Sequence, residues 1–181
     1  MQIVFDFRAF NPNFTLQTKV MKIKQLLAGI MPILDGDARK KQTAKAVLNG
    51  PNEHHGVLNI HRHDPNNVGD FYCAPHLYFP ELHQKVLDIG DMRKTSAKIR
   101  DDWAKAVRTH DLIIGGGGLL NLPHFAQQMA LFEALGSRGK KTVLWGPGHN
   151  DPAWNTFKTP AQYQIDLSKF GMVGLRDYSA P

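Results

Sequence analysis

The segment from Asp111 to Leu120 constrains the fold more than any other part of the chain. It reads Asp-Leu-Ile-Ile-Gly-Gly-Gly-Gly-Leu-Leu, so an apolar run leads directly into four consecutive glycines. This order predicts a buried strand that ends in a tight turn, because glycine adopts backbone angles and permits close approaches that other residues do not. A helical pattern begins at Pro123. In α/β proteins such a strand-to-helix turn lies where ligands usually bind.

Strand-like and helix-like segments alternate after the strong break at Asn49-Gly50-Pro51-Asn52. The predicted strands are 56–60, 86–89, 111–114, 142–145 and 172–175, and the predicted helices are 70–79, 95–108, 123–136 and 160–169. The alternation predicts an α/β fold, a Rossmann-like parallel sheet with flanking helices, over residues 56–181. The sequence stops six residues after the last predicted strand, so we expect this domain to be truncated before a second one.

Residues 1–50 are predicted to form a basic, partly helical N-terminal extension or subdomain. They carry eight Lys and Arg against three Asp, which accounts for most of the net charge of +6. We expect a strand at 2–7 and helices at 16–30 and 37–48. A modest positive surplus is typical of a solvated surface. No aromatic-plus-basic motif of the RNA-binding kind accompanies it, so nucleic acid is not an expected partner.

Composition narrows the class of protein. No apolar run approaches the roughly 20 residues that a transmembrane helix needs, so no transmembrane segment is expected. Asp6 and Arg8 interrupt the only apolar patch near the N-terminus, which argues against a signal peptide. The single cysteine, Cys73, excludes an internal disulfide and fits a reducing compartment. We therefore expect a cytoplasmic protein.

The candidate ligand-binding residues all follow predicted strands. They are Asn67, Gly69, Asp70, Gly115, Gly116, Gly117, Gly118, His149 and Arg176. The glycine turn lacks the third glycine of a dinucleotide fingerprint, since Leu120 and Asn121 stand there, and no Gly-Lys-Ser/Thr of a Walker A loop follows. Two interpretations of the turn remain: a nest of backbone amides for a phosphate or carboxylate, or close packing of bare backbone.

Each of the other candidates also has two interpretations. Asp70 either caps the following helix or contacts a ligand or a second domain. Arg176 suits bidentate capture of a carboxylate or phosphate, or it pairs with Asp177 to hold a turn. His149, after Gly-Pro-Gly, is a candidate for binding or protonating a ligand. No catalytic residue is assigned from these patterns alone.

No metal site is predicted. His61 and His63 alternate along an extended chain beside Asp64, which are possible metal ligands. However, no matching Cys or His pair at ligand spacing occurs elsewhere in the sequence. We interpret these histidines as solvated or hydrogen-bonded.

Taken in order, four motifs resemble those of the polysaccharide pyruvyl transferase family. They are Asn67-Val-Gly-Asp70, Asp111-Leu-Ile-Ile-Gly-Gly-Gly-Gly118, Gly146-Pro-Gly148 and Gly174-Leu-Arg-Asp-Tyr-Ser179. The resemblance covers residues 56–181. It implies the N-terminal half of a two-domain transferase with a fold like that of GT-B glycosyltransferases.

The resemblance also implies a function. Such an enzyme moves a pyruvyl group from phosphoenolpyruvate to two hydroxyls of a sugar or polysaccharide acceptor, forming a ketal during cell-surface polysaccharide biosynthesis. The donor is a substrate and no cofactor is implied. Arg176 is the expected donor contact. The remaining groups would belong to a C-terminal domain, so we expect this chain to be inactive alone and to require that domain or a second copy.

Two alternatives remain open from the sequence. The first is a domain of a nucleotide-sugar glycosyltransferase, whose donor would also bind mainly in the second domain. The second is a non-catalytic binding module in which the basic residues 1–50 form the working surface.

Overall fold

The computed structural model describes residues 16–64, 66–148 and 163–176. The strand predicted at 2–7 lies outside these residues. The described chain contains the strands β1 Val57–His61, β2 Val86–Asp88, β3 Asp111–Gly115, β4 Thr142–Trp145 and β5 Met172–Gly174. Its α-helices are α1 Leu16–Leu48, α2 Val68–Tyr72, α3 Ala97–Thr109 and α4 Ala126–Ser137.

The five strands form one parallel sheet in the order β2-β1-β3-β4-β5. The predicted α/β fold, a parallel sheet with flanking helices, is therefore confirmed. The register aligns Ile60 of β1 with Ile114 of β3, and Ile114 with Leu144 of β4. All three side chains are fully buried, so they form a continuous apolar row across the centre of the sheet. Helices cover both faces of a parallel sheet, so the side chains of its central strands are buried.

Two helices supply the largest buried side chains outside the sheet. Trp103 and Val107 of α3 lie one turn apart and are buried, as the helical spacing predicts. The Trp103 indole Nε1 also donates a hydrogen bond to the Asp88 carbonyl at the end of β2, 3.0 Å away. Phe132 and Leu135 of α4 are fully buried. These residues join the strands in a single core.

The first helix differs from the prediction of two helices at 16–30 and 37–48. It is one helix of 33 residues that contains Pro32. Proline removes one backbone hydrogen bond, but a long helix can continue on either side of that gap. Five apolar side chains in the first part of the helix are exposed: Ile23, Leu26, Leu27, Met31 and Leu34. No helix in the described part of the chain combines the length and hydrophobicity needed to cross a bilayer.

The chain divides into two compact units, Met1–Asp37 and Ala38–Pro181. The last turns of α1 belong to the second unit. There Val47 is fully buried, the Lys40 ammonium donates to the His124 carbonyl at 2.8 Å, and the Thr43 hydroxyl donates to the Met92 carbonyl at 3.1 Å. These contacts fix the end of the helix within the α/β unit.

Two of the predicted helices are shorter than expected, and prolines account for the first of them. The segment 70–79 is α2 followed by a 3-10 helix at Pro75–Leu77, and a second 3-10 helix follows at Pro80–Leu82. Proline starts a helical turn readily but has no amide hydrogen to continue one. In the segment 160–169, the described residues form only the 3-10 helix Leu167–Lys169.

Candidate functional site

The strand order places a crevice at the carboxyl ends of β1 and β3. In the order 2-1-3-4-5, the chain leaves β1 toward one edge of the sheet and β3 toward the other, so the loops after these strands diverge. The loop after β1 leads to α2, and the loop after β3 is the glycine turn. Ligands of doubly wound folds bind at such a switch point.

A pocket of about 280 Å³ opens at this position. It is lined by Arg62, Asn67, Gly69, Asp70, Gly118, Leu119, Leu122, Phe125 and Arg176. Five of these residues are among the candidates chosen from the sequence: Asn67, Gly69, Asp70, Gly118 and Arg176. The pocket therefore brings residues from three strand ends together. Of the other four candidates, Gly115, Gly116 and Gly117 do not line the pocket, and His149 lies outside the described residues.

The four glycines of the turn differ in their surroundings. A Cβ atom at Gly115 would overlap the ring of Pro75, and one at Gly117 would overlap the Asp70 carboxylate. Gly116, at φ +78°, lies against the Asp70 backbone and Cys73. Bare backbone at these three positions lets β3 pack directly on the segment 70–75. Close packing of bare backbone therefore describes these three glycines, and Gly118 is the one glycine of the turn that lines the pocket.

The Gly146-Pro147-Gly148 turn holds the glycine turn in place. The Gly148 amide donates to the Gly117 carbonyl at 2.8 Å, and the Leu120 amide donates to the Gly148 carbonyl at 3.1 Å. The Arg176 amide donates to the Pro147 carbonyl at 3.3 Å. Backbone hydrogen bonds thus join the loops after β3, β4 and β5, and this fixes the backbone from which the Arg176 side chain extends.

Two arginines reach the pocket from different strands. Arg62 directly follows β1, and its guanidinium lies 2.8 Å from an Asp64 oxygen and 5.9 Å from the centre of the Phe125 ring. Arg176 follows β5, and its Nη1 lies 3.6 Å from the Cys73 sulfur. Arg62 was missed in the sequence, although its position just past a strand is the same signal that identified Arg176. Paired guanidinium groups suit an anion with several oxygens.

The side chain of Asn67 caps α2. Its oxygen accepts hydrogen bonds from the Gly69 and Asp70 amides at 3.1 and 3.3 Å. Asn67 thereby satisfies two amides that would otherwise lack partners. Its contribution to the pocket is to fix the loop from which Asp70 extends.

Asp70 is the one buried acid of the pocket, with 4% of its surface exposed. Its Oδ2 has no hydrogen-bond partner, and the Arg62 Nε lies 3.5 Å from it. Burial raises the pKa of the Asp70 carboxyl above its usual value; the Arg62 guanidinium opposes this rise, Asp64 adds to it, and Arg176 opposes it. The capping residue of α2 is Asn67. The interpretation of Asp70 as the cap of this helix is therefore wrong.

Three histidines cluster at the end of β1. The His61 ring lies 4.3 Å from that of His63 and 4.9 Å from that of His76, measured between ring centres. His61 is buried, and its Nδ1 has no hydrogen-bond partner. Burial, followed by repulsion from His63 and His76, lowers the pKa of His61 to about 3. Among the described residues no group of three or more His, Cys, Asp or Glu side chains is arranged to hold a metal ion.

Comparison with known proteins adds no relative to this picture. No protein-family model, no curated protein and no solved structure matches the chain.

Proposed function

We propose that the switch-point pocket binds a small anionic donor, and that the chain acts as the donor-binding half of a transferase resembling polysaccharide pyruvyl transferases. The observation that carries this proposal is that Arg62 and Arg176 line one pocket and are the two cationic side chains among its described lining residues. Phosphoenolpyruvate carries a phosphate and a carboxylate, and each group suits a guanidinium fork. One arginine would bind each end of the donor.

The reaction proposed for the complete transferase is ketal formation. Two sugar hydroxyl oxygens bond to the central carbon of phosphoenolpyruvate, and the bond from that carbon to the phosphate oxygen breaks. One hydroxyl proton reaches the methylene carbon, which becomes a methyl group, and the other leaves with inorganic phosphate. Cationic groups at the donor would stabilise the negative charge that collects on the departing phosphate.

The size of the pocket favours a small donor over a nucleotide sugar. At about 280 Å³ it lies just below the range of roughly 300–1,000 Å³ for small-molecule sites. A nucleotide also needs a surface for its base. The pocket offers Phe125 as its one aromatic ring, and Arg62 already lies over that ring. A nucleotide sugar would therefore need its base to bind mainly in the second domain.

Arginine replacement should weaken donor binding. We expect Arg62→Ala and Arg176→Ala each to raise the Kd for phosphoenolpyruvate at least about tenfold, because a hydrogen bond to a charged group contributes roughly 1.5–3 kcal/mol. Lys141→Ala is the matched control, since it removes the same charge from an exposed residue at the amino end of β4. Isothermal titration of the full chain with phosphoenolpyruvate, inorganic phosphate and a nucleotide sugar measures all three affinities.

The proposal fails if phosphoenolpyruvate binds no tighter than inorganic phosphate, or if both arginine variants bind it as well as the Lys141→Ala control does. Tighter binding of the nucleotide sugar than of phosphoenolpyruvate would favour the glycosyltransferase alternative instead.

A further inference from the structure

Asp70 is an acidic residue that lines the pocket for which we propose an anionic ligand. Its carboxyl is almost completely buried and lines the same cavity as Arg62 and Arg176. An ionised carboxylate would compete with the ligand for the guanidinium groups and would repel the ligand directly. A purely structural acid would also be expected to use both of its oxygens, because buried polar atoms are nearly always hydrogen-bonded.

The two oxygens of Asp70 have different surroundings. Oδ1 faces Gly117, where even a single Cβ atom would overlap it. Oδ2 has no hydrogen-bond partner, and the Arg62 Nε at 3.5 Å lies beyond good hydrogen-bond distance. Oδ2 is therefore the oxygen of Asp70 that lacks a hydrogen bond.

We propose that Asp70 binds the anion in its neutral form, donating a hydrogen bond from its carboxyl to a ligand oxygen, so that the pocket takes up one proton from solvent when the anion binds. This inference rests on the proposed function, since it requires that the pocket hold an anion. It assigns to Asp70 the role of a binding residue that couples affinity to pH.

The charged surroundings of Asp70 are consistent with this role. Arg62 and Arg176 favour the ionised carboxylate, whereas burial and Asp64 favour the neutral carboxyl. The glycine turn, packed against Oδ1, contributes no side-chain charge. A bound anion adds negative charge and engages both arginines, and each of these changes shifts the balance toward the neutral carboxyl.

Sulfate is the appropriate probe because it does not titrate between pH 5 and 8. If one proton accompanies each anion, affinity can change by up to about tenfold per pH unit. We expect the Kd of the full chain for sulfate to fall at least about fivefold between pH 7.5 and pH 5.5. Titration calorimetry in two buffers of different ionisation enthalpy should report uptake of up to one proton at pH 7.5.

The variant Asp70→Asn keeps the shape of the side chain and supplies a permanent donor. It should bind sulfate more tightly than the parent at pH 7.5, and its Kd should change by less than about twofold over the same pH range. Asp91→Asn is the matched control. The pKa of the Asp91 carboxyl is also raised by burial, but Asp91 does not line the pocket.

The possible outcomes separate the two proposals. If sulfate binds but Asp70→Asn weakens it or leaves its pH dependence unchanged, the inference about Asp70 is wrong and the anion pocket stands. If the calorimetry finds no proton uptake, the inference is also wrong, and this measurement needs no variant to fold. If neither sulfate nor phosphoenolpyruvate binds at any pH, the proposed function itself fails.

Discussion

Replacing Gly117 by alanine is expected to lower the free energy of unfolding by about 3 kcal/mol, which corresponds to a fall in Tm of roughly 10 °C for a chain of this length. Two effects add. The backbone at Gly117 has φ +65°, a conformation that costs other residues about 1–2 kcal/mol. The new Cβ would also overlap the Asp70 carboxylate, which is buried and has little room to move except into the pocket.

Gly139→Ala provides the control for this experiment. Gly139 has φ +83°, but a Cβ there would meet no atom within 4 Å, so its variant measures the backbone cost alone. The contact with Asp70 is isolated by introducing Gly117→Ala into an Asp70→Ala background, where it should cost no more than Gly139→Ala does. Thermal and urea unfolding of the four variants gives these values. Equal losses for Gly117→Ala with and without Asp70 would contradict the packing described for the glycine turn.

Acidification should destabilise the fold through His61. The pKa of this imidazole is about 3 in the folded chain and near 6.5 when the chain is unfolded. The folded state therefore binds fewer protons than the unfolded state between these values, and stability falls as the pH drops below 6.5. The expected loss is about 2 kcal/mol between pH 7 and pH 5, and about 1 kcal/mol for each further unit down to pH 3.

The variant His61→Gln should flatten much of this pH dependence, because it removes the buried titrating group. His55→Gln is the control, since His55 is an exposed histidine. Chemical unfolding of both variants and the parent between pH 7.5 and pH 4.5 measures the slopes. If the slope of His61→Gln matches that of the parent, His61 is not the group that destabilises the fold in acid.

The sheet was predictable because its signals are local. Short apolar runs such as Leu112-Ile113-Ile114 are bounded by turn formers, and each run of this kind became a strand within a residue or two of its predicted limits. The helical spacing of Trp103 and Val107 likewise identified a buried face from neighbouring residues alone. Where one proline interrupts a helical pattern, as at Pro32, sequence cannot decide between a break and a continuous helix.

The features of the site that were not predicted depend on contacts distant in sequence. Gly115 and Gly117 must lack a side chain because they pack against Pro75 and Asp70. These partners lie about 40 residues earlier in the sequence and come into contact only in the folded chain. The strand order that brings the loops after β1 and β3 to one crevice is also a non-local property. Arg62 carries the same sequence signal as Arg176, since each lies just past a strand.

The central claim is that Arg62 and Arg176 form an anion site at the switch point of the sheet. The most direct test is a titration of the isotopically labelled full chain with phosphoenolpyruvate, followed by NMR through the backbone amides and the arginine Nε–H groups. The account predicts saturable shifts at Gly69 and Gly118 and at both arginine side chains. Shifts absent from these groups, or confined to the basic first helix around Lys22 and Lys24, would contradict it.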